Sequence, residues 1–193
     1  MAKYLHFSIL FIFVLLASSS CKSFRYSNLS PDKPLDTKLV NLGKDYNLKD
    51  GKYLMDGTTI CDAEYKNICE QLGARYGNIE INVVKVKHPR NIIKWLIFTP
   101  LALGGAWLTP IPFGHRAAKV KVEMTIKDIN GNVLAKFDAK GKHTSYIASW
   151  GLGYNAYNAK RTSEAKAFLK AMRKIKSDLD DNAADLNAVM KKY

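Results

Sequence analysis

The chain has 193 residues, 47% of them hydrophobic and 24% charged. That balance excludes a disordered chain and any fibrous repeat, and the length suits one domain with a real core. Thirty Lys and Arg stand against 17 Asp and Glu, a net charge of +13, and three cysteines are too few for a disulfide scaffold.

The first element is an export signal. Lys3 and His6 form a short basic start, residues 7–17 are 11 uncharged and strongly apolar positions, and Ser18, Ser19 and Ser20 precede Cys21. Basic, then apolar, then small is the order of a secretory signal, and the apolar run is too short to span a bilayer as a helix. A cysteine directly after the small residues resembles the lipobox of bacterial lipoproteins, with Ser18 where the usual pattern has Leu. The resemblance implies a signal peptide over 1–20 that is removed and a Cys21 that carries acyl chains such as palmitate. Two or more such chains anchor stably. Lys22, rather than Asp, follows the cysteine, which in this family leans toward the outer membrane over the inner.

Removal of residues 1–20 takes away Lys3 and leaves 29 basic against 17 acidic residues, a net charge of +12. An exported lipoprotein is not expected to meet nucleic acid. Its anions are phospholipid head groups, lipopolysaccharide phosphates and acidic envelope proteins, reached through the field of the whole domain.

Residues 21–45 read as the lipidated cysteine and a flexible tether, because two prolines and many polar residues carry no period. Residues 46–193 read as a single α+β domain. Asp50-Gly51 between short alternating segments suggests a small hairpin. Cys61, Tyr65, Ile68 and Leu72 recur at helical spacing and predict a helix over 58–72, capped by Thr58 or Thr59 and closed by Gly73. On that helix Cys61 and Cys69 are packed thiols, since a separation of eight residues gives about 12 Å of rise, beyond disulfide reach; the alternative, a Cys61–Cys69 pair, would exclude the helix. Residues 78–88 predict a strand whose apolar phase changes after Val83, so either both faces are covered or a bulge sits near Val83.

Residues 118–127 alternate most regularly. Ala118, Val120, Val122, Met124 and Ile126 point one way, and Lys119, Lys121, Glu123, Thr125 and Lys127 the other. Asn130-Gly131 predicts a two-residue turn with positive φ at both positions. The returning strand over 133–142 places Val133, Ala135, Phe137 and Ala139 on one face and extends toward 148. An aromatic loop with Tyr146, Trp150, Tyr154 and Tyr157 follows. Ala165, Phe168, Leu169, Met172, Ile175 and Leu179 then form the apolar stripe of a helix rich in lysine. The switch from Lys176 to Asp178, Asp180 and Asp181 argues for a break near Ser177 and a second short helix to Met190, with one long helix as the alternative because no Gly or Pro interrupts it. The fold class is therefore α+β, a small antiparallel sheet with helices packed mainly on one face.

The apolar insertion at 92–113 is the most unusual feature, since residues 95–113 are 19 positions without a charge. As a spanning helix, its eight Leu, Ile and Phe gain roughly 4 kcal/mol, while Pro100 costs about 3 and Gly104 and Gly105 about 1 each. The remaining readings are a hairpin bent at Gly104-Gly105 that meets lipid or a partner, and a loop folded back as core. An inner-membrane protein with a transmembrane helix at 92–113 is the corresponding alternative. The contact residues expected are Trp95, Leu96, Ile97, Phe98, Leu101, Leu103, Trp107, Leu108, Ile111 and Phe113.

No catalytic site, metal site or cofactor is expected. His88, His115 and His143 have no ligand-spaced partners, and there is no nucleophile elbow, phosphate loop or dinucleotide fingerprint. The expectation is a non-enzymatic, membrane-anchored envelope lipoprotein, a structural or accessory component. Its partners are membrane lipid through the acyl anchor and an envelope protein through the apolar segment. The architecture is loosely similar to small envelope-machinery lipoproteins of the curli-secretion and penicillin-binding-protein-activator type, although the membrane strands of the former have no match in the non-alternating apolar segment. An alternative is a binding module for an anionic glycan or lipid, with Lys166, Lys170 and Lys174 as its anion-binding residues. A third is an enzyme acting through Cys61 or Cys69.

Overall fold

A computed structural model describes residues 24, 29, 33–48, 56–89, 114–147 and 155–192. In chain order these form β1 (Leu39–Val40), β2 (Leu42–Asn47), α1 (Gly57–Ile68), β3 (Cys69–Glu70), β4 (Gly77–Lys87), β5 (Gly114–Asp128), β6 (Val133–Ile147), α2 (Ala156–Asp180) and α3 (Ala183–Met190). The four-stranded sheet has the order β2-β4-β5-β6, and β1 pairs with β3 in a separate two-stranded ribbon. The fold is α+β, with one departure from the antiparallel expectation: β2 and β1 pair in parallel with β4 and β3.

The alternation of β5 decides where the core lies. Ala118, Val120, Val122, Met124 and Ile126 are buried, as are Ile79, Ile81 and Val83 of β4. Against this face lies α2, whose stripe of Ala165, Phe168, Leu169, Met172, Ile175 and Leu179 is buried along its length. Each such large apolar side chain contributes roughly 1.5–3 kcal/mol on burial. Gly141 of β6 fixes how closely the layers meet. A Cβ there would lie 1.8 Å from the Ala167 carbonyl oxygen, so only glycine lets the helix backbone rest on the strand.

The stretch expected to be a tether enters the fold. Leu35, Leu39 and Leu42 are buried, and Asn187 of α3 grips the backbone of β1, accepting from Val40 N at 3.1 Å and donating to Lys38 O at 2.9 Å. Asn41 turns the chain from the ribbon into the sheet at φ 55°, a left-handed conformation that asparagine tolerates. Its side chain accepts from Leu72 N at 2.6 Å.

Five local expectations are corrected. The first helix ends at Ile68, because Cys69 and Glu70 pair with Leu39 and Val40; Leu72 is exposed. Its cap is Asp56 in the left-handed conformation, not a threonine, and Asp56 receives Arg161 Nε at 3.1 Å. The β5–β6 turn has positive φ at Gly131 and not at Asn130; Asp128 Oδ1 closes it by accepting from Asn132 N at 2.8 Å. A register shift in this hairpin leaves Val133 exposed, off the face of Ala139. The break between the last helices falls at Asp181 and Asn182, one turn beyond Ser177, because Leu179 and Ala183 are still buried. The Asp50-Gly51 hairpin, Trp150 and Tyr154 lie outside the described residues. No helix among the described residues is long and apolar enough to cross a membrane.

Candidate anion-binding site

Three strands each carry Lys-x-Lys: Lys85-Val86-Lys87, Lys119-Val120-Lys121 and Lys140-Gly141-Lys142. The middle residue of each triplet turns toward α2, so period two sends both lysines to the opposite face. Cross-strand register then aligns them. Lys87, Lys119 and Lys142 form one row, and Lys85, Lys121 and Lys140 the next. The alignment depends on the bulge in β4. Val83 faces Val122 and Lys85 faces Lys121, so Val84 is the extra residue. Without it Lys85 and Lys87 would fall into the core phase.

Lys170 and Lys174 of α2 complete the surface along the β6 edge, and Lys174 Nζ donates to Lys140 O at 3.1 Å. Together these eight lysines, with Val120 and Gly141, line a groove of about 710 Å³. Lys121 is paired with Glu123 at 2.8 Å and Asp138 at 3.5 Å, and the hydrogen bond to Glu123 chiefly raises its pKa above the ordinary lysine value. Like charges placed directly opposite across strands are destabilising. Such a surface is best relieved by a multivalent anion.

Of the three lysines expected from the sequence to bind an anion, Lys170 and Lys174 line this groove. Lys166 instead lies beside His143, whose pKa burial, followed by Lys166 and Lys170, lowers to about 4. The six strand lysines are additions to the sequence reading. Their signal was the repeated Lys-x-Lys, which alternation had already placed on the solvent side of β5. Cys21 and the apolar contact residues Trp95, Leu96, Ile97, Phe98, Leu101, Leu103, Trp107, Leu108, Ile111 and Phe113 lie outside the described residues.

The remaining reactive side chains are packed. Cys61 and Cys69 are free and buried, and burial pushes both thiols up to about 12, so each stays protonated at neutral pH. His88, just past β4, meets the buried Glu164 carboxylate at 2.7 Å. Burial, then Lys160 and Arg116, lower its pKa. Among the described residues no three His, Cys, Asp or Glu side chains gather as metal ligands.

No protein-family model matches the chain, and no curated protein matches it. Among solved structures it is similar to a Caulobacter crescentus protein assigned as a lipoprotein, at 16% identity over 75% of this chain and 90% of that one, with a TM-score of 0.44. A minor lipoprotein from Acinetobacter baumannii matches at 11% identity over 76% and 93%, with a TM-score of 0.35. Protein XCC0632 from Xanthomonas campestris, of family DUF330, matches at 9% identity over 85% and 91%, with a TM-score of 0.36.

Proposed function

We propose that this protein is a non-enzymatic envelope lipoprotein, anchored through acylated Cys21, that binds phosphate-bearing anions on the lysine face of its sheet. The observation that carries the reading is the pair of cross-strand rows, Lys87–Lys119–Lys142 and Lys85–Lys121–Lys140. Strands about 4.8 Å apart present ammonium groups at a spacing suited to several phosphates at once. The lipobox resemblance and Lys22 support export and favour the outer membrane. The 19 uncharged residues at 95–113 supply a further contact with lipid or an envelope protein.

The test is binding of the purified full chain in detergent to inorganic polyphosphate. The expected result is binding that weakens steeply with salt and falls at least tenfold in a Lys87→Glu, Lys119→Glu, Lys142→Glu variant of unchanged melting temperature. Binding that ignores salt, or that survives the three substitutions, overturns the reading.

A further inference from the structure

The long elements share a charge polarity. β4 carries Glu80 near its start and Lys85 and Lys87 at its end. β5 runs the other way, with Arg116 and Lys119 early and Glu123 and Asp128 late. α2 begins with Lys160 and Arg161 and ends with Asp178 and Asp180. Register places Lys87 beside Lys119 and Glu80 beside Thr125, so the bases collect where β4 ends and β5 begins. At the opposite end Lys127 and Lys136 are paired with Glu80 and Glu123.

The basic end also holds Phe24, the first of the described residues. The Arg161 guanidinium stacks over the Phe24 ring, 4.4 Å from its centroid. Arg161 lies one helical turn before Glu164, which meets His88 at the end of β4. Phe24 is three residues after Cys21, and three extended residues reach roughly 11 Å. Tyr146 and Tyr157, both 58% exposed, belong to the same end, one near the close of β6 and the other in the first turn of α2. Half-exposed tyrosines suit a boundary between water and lipid.

We propose that the protein stands on its membrane with this end down, so that Arg116, Lys160 and the row Lys87, Lys119, Lys142 meet the phosphates of anionic lipids. The proposal rests on the reading of Cys21 as the anchor, and it names the lipid surface as the source of the phosphate. The anchor confines the domain to the bilayer surface. The charge polarity then selects one orientation, acting over a screening length of about 8 Å at physiological ionic strength.

The experiment uses the acylated full chain on vesicles that contain a lipid with a fluorescence quencher on its head group. One protein carries a fluorophore at Tyr146→Cys, another at Val133→Cys in the opposite hairpin; Cys61 and Cys69 are buried. On vesicles with anionic phospholipid, quenching at position 146 should exceed that at position 133 severalfold. On neutral vesicles the difference should shrink, as it should on anionic vesicles after Lys87→Glu, Lys119→Glu and Lys142→Glu. Equal quenching on anionic vesicles, stronger quenching at 133, or a difference untouched by those substitutions overturns the orientation. A chain that does not stay on neutral vesicles lacks the anchor, and both readings fall. A chain that stays on them but shows no orientation overturns this inference alone.

Discussion

Burial sets the behaviour of the titratable side chains. The Cys61 and Cys69 thiols are held protonated by the apolar packing around them, which lifts both to about 12; a packing residue needs no more. His143 is the informative case, because burial lowers its pKa from 6.5 to about 4. The folded state therefore keeps the ring neutral, while the unfolded chain takes up a proton below pH 6.5. Stability is fully present above that value and is lost as pH falls toward 4. At face value the shift corresponds to about 3 kcal/mol. The ring is partly exposed, and solvent reduces this to on the order of 1–2 kcal/mol. The prediction is that denaturant melts of the wild type lose stability between pH 6.5 and 4 and that His143→Gln flattens part of that slope. His88, also lowered by burial, adds a slope of the same sign, so the difference between the two proteins is the readout. Identical slopes would refute the assignment. Asp62, Glu123 and Asp128 have lowered carboxylate pKa values, so their losses come at lower pH.

Between elements, the most consequential polar contact joins α1 to α2. Lys176 Nζ lies 2.8 Å from Glu64, with both side chains almost wholly buried, and it also donates to Lys33 O at 3.1 Å. Breaking a buried pair from one side strands a charge and costs about 3–5 kcal/mol, whereas replacing both partners with apolar residues is often neutral. Lys176→Met alone should therefore lower stability by roughly that amount. Adding Glu64→Leu to it should restore most of the loss, as measured by urea melts with an unchanged m-value. A double variant as unstable as the single would show that Lys176 matters through its packed stem and its bond to Lys33 instead. Sequence foretold these elements unevenly, for a physical reason. β5 and the stripe of α2 are written in local periodicity and stand where expected. The end of α1 is not, because Cys69 and Glu70 leave the helix to pair with Leu39 and Val40, which lie 30 residues earlier. The lysine face was half legible. Lys-x-Lys is visible in each strand, but only the bulge at Val84 puts β4 in step with β5.

For the molecule as a whole, the N-terminal segment changes what counts as the folded unit. Its composition reads as a spacer, with prolines, polar side chains and no period, and local pattern could not reveal otherwise. Its order comes from distant partners: Asn187 on β1, Asn67 O accepting from Leu35 N at 3.1 Å, and Lys176 on Lys33 O. Leu35, Leu39 and Leu42 are all buried, and three such side chains contribute roughly 5–9 kcal/mol. That is comparable to the whole stability of an ordinary domain, about 5–15 kcal/mol. Deleting residues before 46 would also remove most of β2 and leave the β4 edge unpaired, a template for association. A chain starting at residue 24 should thus melt cooperatively and give a dispersed amide spectrum. A chain starting at 46 should aggregate or give collapsed, poorly dispersed signals. If the shorter chain melts within a few degrees of the longer one, residues 33–45 are ornament on a self-sufficient sheet. If it does not, residues 33–45 are part of the folded unit, held there by Leu35, Leu39 and Leu42 in its core.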